Sequence, residues 1–237
     1  MDFGLSDDQR LLEETVRSFL AERMPITRVR ELREAPCPND PALWRGLAEL
    51  GVTGILAPEA QGGSELGLLD AALVSQALGH AATPAPFLTS AVMVPVALRA
   101  LTGVDPAWLG GIAGGEIVFG VAATEHFSVR EEAGVALEGG GLRGKALMAL
   151  DACSADLVLV ALRGGGLAVV RRDAAALACT RLPTVDATRC TSELVFDGVA
   201  PEAVFEDAGE ALERMLVAGR IALAADVLGA CESMIEQ

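Results

Sequence analysis

The chain has 237 residues, of which 33 are acidic and 18 are basic, so the formal net charge is −15 at pH 7. Such a charge repels phosphate backbones and anionic lipid headgroups, which argues against nucleic-acid and membrane-surface binding. The mean hydropathy is high, at +0.41, but no apolar run reaches the roughly 18 residues that a membrane span needs. With an acidic N-terminus and no visible signal peptide, the sequence predicts a cytoplasmic protein.

The cysteines and histidines offer little for a metal site. Five cysteines, at positions 37, 153, 179, 190 and 231, form no CxxC pair. Their odd number and scattered spacing predict reduced, partly buried thiols in a reducing compartment. Only two histidines are present, His80 and His126, so we expect neither a metal site nor a histidine-based triad.

The first hundred residues follow a helical pattern. An S-x-x-Q capping box at Ser6 opens the first predicted helix, and apolar residues then recur at helical spacing. A second helix is predicted over 41–50, where a proline occupies the first helical position. A third helix is predicted over about 67–78, and a strongly apolar fourth over about 86–101. The pattern therefore predicts an all-α N-terminal bundle.

The pattern becomes β from about residue 116. Short apolar or alternating runs, separated by glycine-rich turns, predict a compact β-barrel or sandwich of about seven strands. From residue 207 onward the sequence is typical of one long amphipathic helix without proline. The sequence thus predicts an α+β multidomain protein with three parts. These are an N-terminal helical domain at 1–115, a middle β-domain at 116–206, and the first helix of an incomplete C-terminal helical domain at 207–237.

Six segments in order resemble the acyl-CoA dehydrogenase family, and together they extend over the whole chain. "MDFGLSDDQRLLEETVRSFL" resembles the first family helix, and "LWRGLAELGVTGILAPEAQGG" resembles the L-AELG---I--PE-YGG segment. "GLLDAALVSQALGHA" is similar to the next helix, and "GGIAGGEIVFGVAATE" to the run entering the β-domain. "RGKALMALDACSADLVLVALR" resembles the GxKxxIxxxxxAD hairpin, and "VDATRCTSELVFDGV" resembles the strand before the C-terminal helices.

The resemblance implies an FAD-dependent acyl-CoA dehydrogenase, an oligomeric flavoprotein oxidoreductase of lipid metabolism and β-oxidation. In such enzymes a carboxylate removes the α-proton of an acyl-CoA thioester while the β-hydrogen leaves as hydride to the flavin. Because an α-C–H is poorly acidic, the thioester carbonyl must be hydrogen-bonded to stabilise enolate-like charge. Electron-transfer flavoprotein is the electron acceptor that the resemblance implies.

The first flavin loop departs from the family pattern. The family sequence Thr-Glu-Pro-x-x-Gly-Ser-Asp becomes Thr124-Glu125-His126 followed by "FSVR", so the Gly-Ser turn is lost. By resemblance, Thr124 and the backbone of Ala123 hydrogen-bond the pyrimidine edge of the flavin. Ser128 is the candidate replacement for the lost substrate-side serine. We interpret His126 as a solvated loop residue.

The second flavin segment is also altered. Where the family has Trp-Ile-Thr, this sequence has Met148, Ala149 and Leu150. By resemblance, Met148 packs against the flavin as a soft apolar group. Leu150 takes the position of the threonine that reaches flavin N5, but it has no hydrogen-bond donor. Ordinary strand packing without a flavin contact remains the alternative for this segment.

The candidate catalytic base is Glu213. The segment "LERMLVAGR" resembles "LERLVLAGG", which carries the base in isovaleryl- and long-chain-type members of the family. The alternative is a solvated carboxylate beside Arg214, and we interpret Glu210 as a surface residue. The chain also stops before the family's R-QFG segment, which contacts the FAD of a neighbouring subunit. We therefore expect that one copy of this chain does not complete an FAD pocket by itself.

Two functions stay open at this point. The stretch from Thr124 to Gly144 is also shorter than is usual in the family. This shortening and the altered flavin segment resemble steroid side-chain and CoA-ester dehydrogenases of actinobacterial type, which are often α2β2 assemblies with one subunit that has lost its site. The chain is then either an FAD-dependent acyl-CoA dehydrogenase, as a homo-oligomer or heteromer, or a non-catalytic structural subunit that completes the FAD site of a partner. The sequence does not specify the acyl group.

Overall fold

A computed structural model describes residues 4–35, 37–126 and 133–236 of the chain. Within these residues, helices come first, strands follow, and one long helix comes last. The helices that precede the sheet are α1 (Asp7–Arg23), α2 (Ile26–Arg33), α3 (Pro41–Glu49), α4 (Leu68–His80), a π-helix (Phe87–Met93), α5 (Val94–Arg99) and α6 (Pro106–Ala113). The final helix is α7 (Gly209–Ile235). This order confirms the predicted α+β architecture.

Local sequence signals explain where the first helices begin. The Gln9 N–H donates to the Ser6 hydroxyl at 3.1 Å, and the Gln9 side chain accepts from the Ser6 N–H, so the predicted capping box is formed. At α3 the Asp40 carboxylate accepts the N–H groups of Ala42 and Leu43, and Pro41 is the first helical residue. These caps satisfy backbone donors that the helix itself leaves unpaired.

The helical part differs from the prediction in two respects. Helices α2 and α6 were not predicted, because each has only eight residues. The predicted fourth helix over 86–101 consists of the π-helix, followed directly by α5. Six of the seven π-helix residues are buried, so this irregular turn lies in the interior, close to the start of the sheet. π-Helical turns of this kind often occur at functional sites.

The strands form one mixed sheet of eight strands, in the order β6-β7-β3-β1-β4-β5-β8 with β2 paired to β3. They are β1 (Phe119–Ala122), β2 (Gly134–Glu138), β3 (Gly141–Leu150), β4 (Leu157–Ala161), β5 (Leu167–Arg171), β6 (Leu177–Arg181), β7 (Thr191–Val199) and β8 (Ala203–Phe205). The prediction of about seven strands missed the three-residue strand β8. Strand β1 runs parallel to β4 and antiparallel to β3.

Helix α7 connects the helical and β-rich parts of the molecule. Its buried residues Ala218 and Ala222 pack in the core of the N-terminal helices, whereas Leu212 and Met215 pack in an apolar cluster with strands β1, β4 and β5. Burial of these apolar side chains provides the main favourable contribution to folding. No helix in the described ranges is long and apolar enough to cross a lipid bilayer. The domain boundaries at 115/116 and 206/207 remain a prediction.

Candidate functional site

The two predicted flavin segments meet at one end of strands β1 and β3. Val121 pairs with Leu150 in the antiparallel ladder. The turn that follows β1, at Thr124–His126, also packs against β3. The fold therefore brings the two predicted flavin segments close to each other, while the roles of Ala123, Met148 and Leu150 stay predictions.

The backbone at Met148 is unusual for a strand. Its φ angle is +55°, in the left-handed region that non-glycine residues rarely adopt. The ladder between β3 and β7 shifts its register between Ala146 and Ala149, so Met148 lies in a β-bulge. Strained residues and bulges concentrate at active sites and ligand contacts. The bulge therefore marks this end of β3 as a candidate ligand site.

Leu150 packs as an ordinary core residue. Its side chain contacts the apolar cluster that includes Phe119, Val121 and Ala123. Met148 is half-buried, and Ala123 is almost fully buried, at 2% exposure. Of the two interpretations of this segment, apolar packing therefore accounts for Leu150, and the leucine side chain supplies no hydrogen-bond donor.

A short 3₁₀ turn, Thr124–His126, follows β1 and packs against β3. The His126 N–H donates to the Ala123 carbonyl at 3.0 Å, and the His126 side chain is exposed, as predicted. Ser128, the candidate substrate-binding residue, lies outside the described residues. Thr124 is the first residue of this turn, and its contact with the flavin stays a prediction.

Sequence reasoning overlooked Glu125 as a functional candidate. Both carboxylate oxygens of Glu125 are buried, and neither has a hydrogen-bond partner in the described part of the chain. Desolvation raises the pKa of this carboxyl above its ordinary value, although the Glu125 backbone N–H and the nearby His126 and Arg163 partly oppose the shift. A buried carboxyl group that has no side-chain partner among the described residues requires an explanation, and a ligand group is one.

The proposed base Glu213 lies on α7 between residues that are buried in the core. Leu212 and Met215 pack in the same apolar cluster as Ala123, whereas Glu213 itself is exposed. Val217 and Ile221, which follow Glu213 at helical spacing, are exposed apolar residues. The helix thus presents a carboxylate at one end of an apolar surface.

Glu210 and Arg214, which flank Glu213 on α7, form an ion pair with each other. Arg214 donates to Glu210 at 2.5 Å across one turn of α7, and both side chains are largely exposed. This pairing agrees with the interpretation of Glu210 as a surface residue. The exposure of Glu213 is consistent with the alternative interpretation, in which it is a solvated surface carboxylate.

Asp151 is a second carboxyl that the sequence analysis did not single out. It directly follows β3, adopts φ +54°, and accepts a hydrogen bond from the Thr89 hydroxyl of the π-helix at 2.7 Å. Desolvation raises the pKa of Asp151 to about 6, against the opposing effects of Thr89 and Arg189. An acidic residue directly after a strand of apolar residues was the only sequence signal for this group.

For a flavin ring, the cofactor group that the resemblance implies, the bulge at Met148 offers a half-buried apolar side chain and the backbone groups of an irregular strand. Leu150 offers no donor to flavin N5. Any such donor in this strand must therefore come from the backbone.

A helical N-terminal region, a mixed sheet and a long C-terminal helix together match the fold of solved acyl-CoA dehydrogenase structures. Residues 6–116 match the family model described as "Acyl-CoA dehydrogenase, N-terminal domain". The resemblance to the acyl-CoA dehydrogenase family that the sequence predicts is thereby confirmed.

Curated relatives match part of the chain. Acyl-CoA dehydrogenase IpdE2 of Mycolicibacterium smegmatis is 34% identical over 103 residues, which cover 43% of this chain and 33% of the relative. Mitochondrial isovaleryl-CoA dehydrogenase of Pongo abelii is 40% identical over 78 residues, or 33% of this chain and 18% of the relative. The matched stretches thus span about a third of these relatives or less.

Solved structures match nearly the whole chain. The Tcur3481-Tcur3483 steroid ACAD superposes with a TM-score of 0.84 at 26% identity, and the match covers 96% of this chain and 64% of that one. The ChsE4-ChsE5 complex from Mycobacterium tuberculosis superposes with a TM-score of 0.86 at 24% identity, covering 98% of this chain and 66% of that one. At 24% identity, the match to the ChsE4-ChsE5 complex shows only that the two folds are alike.

Proposed function

We propose that this chain acts in an FAD-dependent acyl-CoA dehydrogenase that introduces an α,β double bond into an acyl-CoA thioester. The observation that carries the proposal is the strained bulge at Met148, in the strand that packs against the turn after β1. Strained backbone of this kind clusters at active sites and ligand contacts, which supports a ligand-binding role for this strand end.

In this proposal each part of the site has one task. Ala123, Thr124 and Met148 would hold the flavin ring at the end of β1 and β3, where FAD would supply the hydride-accepting chemistry for the β-hydrogen of the substrate. Glu213 accepts the α-proton, since a carboxylate within reach of that carbon is the base that the reaction needs. Ser128 contacts the substrate. Electrons then pass to electron-transfer flavoprotein.

Two observations favour a second candidate function, that of a structural subunit. Leu150 is packed in the apolar cluster and supplies no donor, and Glu213 is exposed. In that case the chain completes the FAD site of a related catalytic subunit in an α2β2 heteromer. One relative of the same fold is described as the ChsE4-ChsE5 complex, which is compatible with such an arrangement.

Flavin content separates the two functions. The protein is purified alone and together with any co-encoded homologue, and the visible absorption spectrum and FAD content are measured. Under the first function as a homo-oligomer, copies of this chain bind FAD without another protein, at up to one equivalent per chain. Colourless protein that acquires one FAD per pair only with its partner contradicts the homo-oligomeric dehydrogenase and supports the structural subunit.

The role of Glu213 is tested by anaerobic reduction of the bound flavin with acyl-CoA. We expect Glu213→Gln to slow flavin bleaching by about 100- to 10 000-fold, which is the usual contribution of a general base. Glu210→Gln is the matched control, because Glu210 lies one turn away on α7 and pairs with Arg214. Equal rates for Glu213→Gln and the unmodified protein would exclude Glu213 as the base.

A further inference from the structure

Four of the five cysteines lie in two close pairs, although their positions are far apart in the sequence. The sulfur atoms of Cys37 and Cys190 are 3.0 Å apart, and those of Cys153 and Cys179 are 2.9 Å apart. All of these cysteines are free thiols. Among the described residues, no three histidine, cysteine or acidic side chains are placed to hold a metal ion. The thiol pairs therefore call for an explanation other than metal binding.

The pair Cys37–Cys190 joins two separate parts of the fold. Cys37 lies in the loop between α2 and α3 and is partly exposed, whereas Cys190 is buried at 4% exposure directly before β7. The Cys190 carbonyl also accepts the Asp151 N–H at 2.8 Å. The pair thus connects the helical region to the strand end that carries the candidate flavin site.

The surroundings of Cys37 favour its thiolate form. The hydrogen bond with Cys190 lowers the pKa of Cys37 to about 6, with help from the Ser154 hydroxyl and the Arg181 guanidinium; burial and the Asp151 carboxyl oppose this shift. The same hydrogen bond and burial raise the pKa of Cys190. The pair therefore combines a nucleophilic thiolate with a neighbouring protonated thiol.

In the second thiol pair, burial and the hydrogen bond with Cys153 raise the pKa of Cys179 to about 11. The Ser192 hydroxyl donates to the Cys153 sulfur at 3.1 Å. Because the thiolate is the form that attacks an oxidant, Cys179 is a poor nucleophile at neutral pH. The partly exposed Cys37, 3.0 Å from Cys190, therefore makes the Cys37–Cys190 pair the stronger candidate for reaction.

We propose that Cys37 and Cys190 form a redox-active dithiol that a hydroperoxide converts into an intrachain disulfide. The Cys37 sulfur attacks one peroxide oxygen, the O–O bond breaks, and with hydrogen peroxide one water leaves as Cys37 becomes a sulfenic acid. The Cys190 sulfur then displaces the sulfenic oxygen as a second water, and the S–S bond forms. In total two thiols and one hydrogen peroxide give one disulfide and two waters.

The disulfide covalently connects the loop after α2 to the start of β7. Because this crosslink closes a long loop, it restricts the unfolded chain and raises the melting temperature of the oxidised protein. It also fixes the strand end at Asp151, next to Leu150 and Met148. Oxidation therefore acts on the candidate flavin site through the backbone of β3 and β7.

The site is tested on the full chain with hydrogen peroxide at neutral pH. We expect the number of titratable thiols to fall by two from five, and peptide mapping without reductant to find Cys37 linked to Cys190. Dithiothreitol restores both thiols. An unchanged thiol count, a disulfide between other cysteines, or irreversible oxidation of Cys37 in the unmodified protein would each overturn the proposal.

Variants assign the two roles. In Cys190→Ser the sulfenic acid of Cys37 persists long enough for dimedone to trap it, whereas Cys37→Ser abolishes both the disulfide and the dimedone adduct. Cys231→Ser is the control, because Cys231 is exposed on α7 and belongs to neither pair. Loss of the disulfide in this control would contradict the assignment.

The pH dependence gives an independent test of which sulfur attacks. The alkylation rate of Cys37 by iodoacetamide follows its thiolate fraction, so we expect it to fall as the pH is lowered through about 6. A midpoint near the ordinary thiol value of about 8.5 would overturn the role of Cys37 as the attacking group.

Discussion

The Asp151 carboxyl is more easily protonated than an ordinary aspartate because folding removes it from water. Its pKa of about 6 lies above the usual value of 3.8, and only the Thr89 hydroxyl and the more distant charge of Arg189 oppose the shift. Between about pH 4 and pH 6 the folded protein therefore binds a proton that the unfolded chain has released. The stabilising contribution of this group is complete below pH 4 and is lost as the pH rises through 6.

We expect Asp151→Asn to remove this pH dependence. The amide oxygen still accepts the Thr89 hydrogen bond but carries no charge, so the variant should gain about 1–3 kcal/mol of unfolding free energy at pH 7 relative to pH 4. Denaturant unfolding at both pH values measures the difference. Asp207→Asn, at an exposed position, is the control, and equal pH dependence in Asp151→Asn and the unmodified protein would contradict the prediction.

For individual residues, the sequence predicts which chemical groups a site offers better than it predicts where those groups lie. That Leu150 has no donor follows from the residue type. The left-handed bulge at Met148 depends on how β3 pairs with both β1 and β7, which no single segment encodes. The burial of Glu125 and the closeness of Cys37 to Cys190 likewise arise from segments distant in sequence.

At the scale of elements, helices α4 and α7 approach so closely that each requires a glycine. A methyl group on Gly229 would overlap the Gln76 carbonyl oxygen, and one on Gly79 would overlap the Asp226 carbonyl oxygen. Both partner atoms belong to helix backbone, which cannot move aside without disturbing the helix. The two glycines therefore allow the backbones of these helices to lie in direct contact.

Gly229→Ala should destabilise the protein despite the better helix propensity of alanine. That propensity favours alanine by about 1 kcal/mol, whereas forcing an additional methyl group into a packed contact costs about 1–3 kcal/mol or more. We therefore expect a lower midpoint of thermal unfolding. Gly110→Ala in α6 is the matched control, since its methyl group would meet only the Gln61 carbonyl oxygen at 3.7 Å. Here the midpoint should stay the same or rise.

Long elements with clear caps were predictable, and short or irregular ones were not. The caps and periodicity of α1, α3 and α4 place these helices within two or three residues of their observed ends. Helix α2 buries only Val29 and Leu32, which is too few apolar positions to give a periodic signal. The π-helix shares the apolar composition of an α-helix and differs only in its hydrogen-bond spacing.

At the scale of the whole molecule, one ion pair connects the β-rich region to the C-terminal helix. Arg189, in the loop before β7, donates to Asp226 of α7 at 2.6 Å, and both side chains are mostly buried, with 30% and 21% exposure. Because Arg189 is mostly buried, removal of Asp226 leaves its charge poorly solvated and paired only with the more distant Asp186, at 3.9 Å, among its ion-pair partners in the described residues.

We expect Asp226→Asn to lower the unfolding free energy by about 1–3 kcal/mol. This expected loss of unfolding free energy is smaller than the loss for a fully buried ion pair, because water still reaches part of both side chains. Glu210→Gln, which breaks the exposed pair with Arg214, should change stability by less than about 1 kcal/mol. Denaturant unfolding of both variants measures the difference, and losses of equal size would contradict the role given to Arg189.

The order of helices and strands along the chain was predictable, whereas the pairing of the strands within the sheet was not. Runs of apolar residues show that strands exist, but the parallel pairing of β1 with β4, across the intervening hairpin of β2 and β3, is a long-range property. The resemblance to a known family supplied the architecture that local patterns left open.

The central position of β1 in the sheet has a consequence for the order in which the protein forms during synthesis. Both neighbours of β1 come later in the chain: Phe119 pairs with Leu157 in β4, and Val121 pairs with Leu150 in β3. When β1 leaves the ribosome, one of its hydrogen-bonding edges has no partner until β3 has been translated to Leu150, and the other has none until β4 has been translated to Ala161. The apolar middle strand is thus a segment that a chaperone can bind during translation, and the helices before it can fold first.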